Sequence, residues 1–267
     1  MSAIFKNDIK RIFRSPFLYI IWAAVIGLGL LSLFDLSNLY LFAYKPVGGL
    51  NLFLVSFIVG TALNLAAPLL AVSLYSQKLY EDIDYGNIKY IVNRIPIKKY
   101  ISQRILSTSI AGGVSIAIPM LIAMIVYCIY NPNPSATILT AADNFLKPVY
   151  YQSKLAYCLL FIINSFLFGA VYSYFSMSIS TVVRNKYIAM SIPIIIYLIV
   201  QAITWLLGSV LPYGVVNMTY SYCLSFQFFD LSRYATLLQL ITNYSVFVFI
   251  SSIVLYFGLK RWKREGN

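Results

Sequence analysis

The sequence predicts an all-α integral membrane protein, and three observations carry that prediction. Of 267 residues, 60% are hydrophobic and 10% charged, with a mean hydropathy of +0.79. Soluble domains carry about 25% charged residues, so this chain has too few to cover a water-facing surface. Apolar runs recur along its length, each near the roughly 20 residues a helix needs to cross a bilayer core. Lysines and arginines gather almost entirely between alternate runs, as membrane topology demands.

Taken in order, residues 1–15 form the first predicted element. Ile4, Phe5, Ile9, Ile12 and Phe13 fall on one helical arc, and Lys6, Lys10, Arg11 and Arg14 on the other. That pattern predicts a helix lying in the membrane interface, ending where Pro16 biases Ser15 away from helix. Six spans are predicted after it: Pro16–Phe34, Leu50–Tyr75, Ser107–Tyr130, Leu155–Val183, Tyr187–Leu207 and Leu237–Leu259. None contains an ionised residue. The first is expected to be retained rather than cleaved as a leader, because Leu33-Phe34-Asp35 offers no small-residue cleavage site. The second and fourth exceed a minimal span and should tilt or protrude. Residues 208–236 are too broken by Gly208, Pro212 and Gly214 for a seventh span, yet too apolar for a plain loop.

One side of the membrane then holds Lys6, Lys10, Arg11, Arg14, Lys78, Lys89, Arg94, Lys98, Lys99, Arg104, Arg184, Lys186, Lys260, Arg261, Lys263 and Arg264. The other holds only Lys45, Lys147, Lys154 and Arg233. The basic side is expected to be cytoplasmic, with both termini inside. The net charge of +12 is therefore a topology and lipid-contact signal, not a nucleic-acid one. The chain is read as a single transmembrane domain, 1–267, in a cytoplasmic membrane, and its Ile-, Lys-, Asn- and Tyr-rich usage points to an AT-rich bacterial genome.

Composition also excludes most chemistry. There is no histidine, there are eight carboxylates, and the three cysteines, Cys128, Cys158 and Cys223, lack metal-ligand spacing. Structural zinc and haem ligation are excluded on these grounds, and the cysteines read as small hydrophobes. Intramembrane acid–base catalysis lacks its groups, so no enzyme and no metal site is expected. Proton-coupled transport lacks intramembrane carboxylates.

The polar groups within or beside the spans are amides: Asn64, Asn164, Gln201 and Asn243. Each either bonds one helix to another or lines a substrate path, and Asn64, Asn164 and Gln201 are the pathway candidates. Ser165, Gly169 and Ser173 recur at four-residue spacing, a small-residue stripe that packs either within the chain or at a dimer seam. Pro68, Pro119 and Pro193 interrupt spans as hinges or static kinks. Many of the 23 tyrosines sit at span ends, as an interfacial belt requires.

The longest inner stretch is residues 76–104, SQKLYEDIDYGNIKYIVNRIPIKKYISQR. An acidic cluster (Glu81, Asp82, Asp84) precedes Gly86, a helix stop or turn. The short amphipathic piece Ile88, Ile91, Val92 leads to a corner at Asn93–Pro96 and the basic group Lys98, Lys99 and Arg104. A fresh helix starting near Pro96–Ile97 should run into the third span. Two short helices with a bend, presenting mixed charge, are expected.

The order Glu81, Tyr85-Gly86-Asn87-Ile88, then Arg94-Ile95-Pro96-Ile97-Lys98-Lys99-Tyr100-Ile101 resembles the same segment in permease subunits of type-2 ATP-binding-cassette (ABC) exporters. The basic N-terminal helix, the six spans and the apolar outer segment extend the resemblance over nearly the whole chain as architecture. This chain has Asn87 where the family pattern usually has Thr. The resemblance implies that residues 76–104 contact a separate cytoplasmic ABC ATPase, with Glu81, Gly86, Arg94, Pro96 and Lys98 at or near the contact. It implies short re-entrant outer helices between spans five and six, and a second permease copy. The chain contains no G-x-x-x-x-G-K-[ST], so ATP and Mg²⁺ would belong to the partner and no cofactor to this chain. A pathway without fixed charge would suit an amphipathic or hydrophobic substrate: a peptide such as a bacteriocin, a lipid-linked molecule or a drug. The alternative from a different class is a membrane-embedded sensor, immunity or scaffold protein that transports nothing.

Overall fold

The computed structural model describes residues 3–33, 48–54, 56–57, 61–132, 147–183, 185–210 and 237–265, and every element among them is helical. They are α1 (Ala3–Arg14), α2 (Pro16–Leu33), α3 (Gly49–Leu54), α4 (Thr61–Ser73), α5 (Lys78–Asp84), α6 (Asn87–Val92), α7 (Ile97–Tyr130), α8 (Lys147–Gln152), α9 (Lys154–Val183), α10 (Lys186–Val210) and α11 (Leu237–Glu265). Among the described residues, four stretches are long and apolar enough to cross a membrane: Pro16–Leu33, Ile97–Tyr130, Lys154–Val183 and Leu240–Trp262. The protein is a multi-pass helical membrane protein. The predicted span Leu50–Tyr75 is distributed over α3 and α4, with residues 55 and 58–60 outside the described set; Tyr187–Leu207 lies within α10. Of the expected outer re-entrant segment, 208–236, residues 208–210 continue α10 and the rest lie outside the described residues.

Helix α9 is the axis of the molecule. It packs most extensively on α7, then on α11 and α10, and every residue from Val171 to Thr181 is buried. Within that enclosure three hydroxyls bond backward along their own helix: Ser178 to the Tyr174 carbonyl (2.9 Å), Ser180 to Met177 (2.7 Å), Thr181 to Ser178 (2.7 Å). Phe53, Phe57, Phe161, Phe168 and Tyr172 fill the core around it, each fully buried.

The stripe Ser165-Gly169-Ser173 packs inside the chain, against Gly112 and Gly113 of α7. A Cβ on Gly112 would overlap the Gly169 carbonyl oxygen and the Ser173 side chain, and one on Gly169 would overlap the Gly112 carbonyl. Backbone therefore touches backbone where α7 crosses α9, which only small residues permit. Helices α4, α7 and α10 continue through Pro68, Pro119 and Pro193.

Both ends of the chain meet at one end of the bundle, here the basic end. Leu259 and Trp262 of α11 pack with Leu79 of α5, Ile88 of α6 and Tyr100 of α7, and α1 packs on α7. At the opposite end of α7, the Gly49 N–H of α3 bonds the Asn131 carbonyl (2.9 Å). Beside it lies a cavity of about 400 Å³ lined by residues that include Asn51, Cys128, Asn131 and Lys154.

The N-terminal helix is amphipathic, as expected. Its buried face is Phe5, Asp8 and Ile12, with Ile9 half-buried, while Phe13 is exposed. That face is occupied by protein: Ile12 and Ile9 pack with Leu74, Tyr75 and Ala111. Part of the apolar arc therefore makes a tertiary contact, and Phe13 stays at the surface.

Candidate functional site: a buried ionic cluster under a helical hairpin

Residues 74–96 build a compact projection from local rules. The turn Leu74–Gln77 is pinned by Gln77, whose Nε2 donates to the Lys186 carbonyl (2.6 Å), and by Ser176, whose hydroxyl reaches Ser76 (3.3 Å) and the Ala189 carbonyl (3.0 Å). Helix α5 then ends at Gly86, which sits in the left-handed region (φ +71°) and donates its N–H to the Ile83 carbonyl (3.1 Å). A glycine in that conformation closes a helix at no side-chain cost. Helix α6 runs six residues, the chain turns at Asn93–Ile95, and Pro96 (φ −53°, ψ 131°) starts α7. Leu79 and Ile88 anchor this α5–α6 hairpin from beneath on Tyr100, Tyr174, Met177 and Leu255. Its outer surface is left bare: Asp84, Tyr85, Asn87, Tyr90, Asn93, Arg94, Lys98 and Lys99 are exposed, with Tyr85 at 73% and Tyr90 at 76%.

Beneath the hairpin lies a buried charge cluster centred on Arg104, itself 5% exposed. Its Nη1 donates to Asp8 Oδ2 of α1 (2.7 Å) and to the Tyr75 hydroxyl (3.0 Å). Its Nη2 donates to Asp82 Oδ2 of α5 (2.6 Å), and its Nε to the Tyr100 hydroxyl (3.0 Å). Tyr100 passes its own proton on to Asp82 Oδ2 (2.5 Å), and Ser107 donates to Asp8 (3.3 Å). Asp8 and Asp82 are 5% and 4% exposed. A buried carboxylate is tolerable only when paired and hydrogen-bonded, and one planar guanidinium supplies both pairs here because its donors point in fixed, divergent directions. Lys78 stands at the edge, 4.0 Å from Asp82 and 2.9 Å from Glu81. The cluster thereby joins α1, the turn after α4, α5 and α7 through one side chain.

The sequence-predicted contact residues lie around this cluster rather than in it. Glu81 is half-exposed and paired with Lys78, Gly86 is the hairpin bend, Arg94 and Lys98 are exposed, and Pro96 caps α7. Glu81, favoured from sequence, is the peripheral acid; its neighbour Asp82 is the buried one. Asp8, Tyr75, Asp82, Tyr100 and Arg104 were not singled out, although a signal existed. Asp8 shares the apolar arc of α1 with Phe5 and Ile12, and Arg104 stands one turn from Tyr100 and from Ser107 on the buried face of α7.

Of the pathway candidates, Asn164 is buried, and its Oδ1 accepts from the Tyr244 hydroxyl (2.7 Å), tying α9 to α11. The side chains of Asn64 and Gln201 lie outside the described residues. No family model, no curated protein and no solved structure matches this chain.

Proposed function

We propose that this chain is the six-span permease subunit of an ATP-driven ABC exporter. It moves an amphipathic or hydrophobic substrate (a peptide, a lipid-linked molecule or a drug) outward across the cytoplasmic membrane. On this reading the basic end is cytoplasmic, a second permease copy completes the pathway, and two separate ATPases dock on the α5–α6 hairpin. The observation that carries the proposal is the Arg104 cluster joined to an exposed hairpin. A force on Tyr85, Tyr90 or Arg94 reaches α5, passes through Asp82 to Arg104, and so reaches both the 34-residue α7 and the N-terminal helix. A flanking loop with no mechanical duty has no need to bury three charges.

Purification of the chain from its native host in mild detergent tests the reading. A stoichiometric ATPase should co-purify, and its turnover should respond to Arg94→Glu or Glu81→Lys. A stable chain with no ATPase, under conditions that preserve other membrane complexes, would refute it. The alternative, a sensor, immunity or scaffold protein that transports nothing, is favoured by one observation: Asn164 is spent on a helix–helix bond.

A further inference from the structure

Ile9 and Ile12 of α1 pack against α7 and the turn at Tyr75, so the helix presents its other face to the surroundings. That face is Lys6, Asn7, Lys10, Arg11 and Arg14, all exposed. It carries no acid, because the helix's one carboxylate, Asp8, is turned inward onto Arg104. Lys6, Lys10 and Arg14 follow at four-residue intervals, a row of cations spanning about 12 Å along the axis. The row ends at the membrane boundary, since only Ser15 separates Arg14 from the first residue of the apolar α2. Beside it Phe13 and Phe17 are 39% and 44% exposed. Cations aligned over exposed aromatics at the start of a span match a phosphate-bearing headgroup above and acyl chain below.

We propose that the outward face of α1 is a binding site for anionic phospholipid headgroups, held by Lys6, Lys10 and Arg14 with Phe13 and Phe17 against the acyl chains. This site does not depend on the transport reading. It differs from insertion of an amphipathic helix because charge, not buried apolar area, supplies the affinity, so binding must weaken with salt.

The test is native mass spectrometry of the full chain in detergent, titrated separately with phosphatidylglycerol and phosphatidylcholine. Phosphatidylglycerol should bind in preference, and raising ammonium acetate from about 0.05 to about 0.5 M should erase most of that preference in the unaltered protein. The double variant K10Q/R14Q should weaken phosphatidylglycerol binding about thirty-fold, at about 1 kcal/mol per basic residue. The charge-matched K98Q/K99Q, at the start of α7, should change it less than about threefold. Equal binding of the two lipids, salt-insensitive binding, or equal losses in the two variants would each overturn the site. So would K10Q/R14Q keeping its lipid preference while releasing a co-purifying acidic protein, which would assign the face to that partner.

Discussion

Replacing Arg104 with methionine is the sharpest perturbation this structure offers. The change keeps much of the side-chain length and removes four donated hydrogen bonds, two of them to carboxylates at 2.7 and 2.6 Å. Asp8 and Asp82 remain buried; Asp8 keeps the Ser107 hydroxyl and Asp82 the Tyr100 hydroxyl, while Lys78 stands 4.0 Å from Asp82. Breaking a buried ion pair from one side costs about 3–5 kcal/mol, because the stranded charge is the expense. Two stranded carboxylates place R104M at or above the top of that range. Lysine at this position is no remedy: its compact ammonium cannot span two acids on opposite edges of a planar fork, and about half the loss should persist. The triple variant D8L/D82L/R104M removes every stranded charge and should recover most of the stability, since apolar replacement of a buried ion cluster is often neutral or better. Equilibrium unfolding in mixed micelles reads all three. An R104M protein within about 1 kcal/mol of the unaltered one would refute the cluster as a structural centre. A triple variant as unstable as R104M would refute stranded charge as the cause.

Three further outcomes follow from other contacts. Gly112→Val should cost at least about 3 kcal/mol and give an aggregated detergent extract on size-exclusion chromatography, because the added carbons meet backbone that cannot yield. Gly86→Ala meets nothing within 4 Å and should cost only about 1 kcal/mol of left-handed strain by the same unfolding assay. The double variant Tyr85→Ala/Tyr90→Ala should leave stability within about 0.5 kcal/mol, both rings being exposed, while lowering ATP turnover in a complex reconstituted with a partner ATPase.

What could be read from the sequence was whatever repeats along the chain. Apolar runs located the helices, and Ser165, Gly169 and Ser173 announced a close crossing because four-residue spacing is visible without a partner. The other half of that crossing, Gly112, lies far away in sequence, so its location inside the chain needed the fold. The Arg104 cluster was hidden for a related reason. Asp8 is separated from Asp82 and Arg104 by two predicted spans, and each read alone belongs to a region rich in charge, where a solvated residue is the ordinary expectation. Only the helical phase of each, on a face shared with Phe5 and Ile12, with Leu79, and with Tyr100 and Ser107, distinguishes it from Lys98 or Glu81. Asn164 shows the converse: an amide in a span could bond a neighbouring helix or line a path, and only the fold reveals the Tyr244 hydroxyl bonded to it.

The meeting of Gly112 and Gly169 also fixes a ratio of movements. With no side chains between them the two backbones cannot approach further, so a tilt of α7 against α9 would turn about this contact. Arg104 lies eight residues from it along α7, about 12 Å, and Tyr130 lies eighteen residues beyond, about 27 Å. A rotation of α7 about this point that shifts Arg104 by 1 Å carries the far end roughly twice that distance in the opposite sense. The short arm ends in the ionic cluster and the long arm ends at the cavity beside Asn131. The unequal arms set the leverage that any such tilt would have, about two to one in favour of the far end.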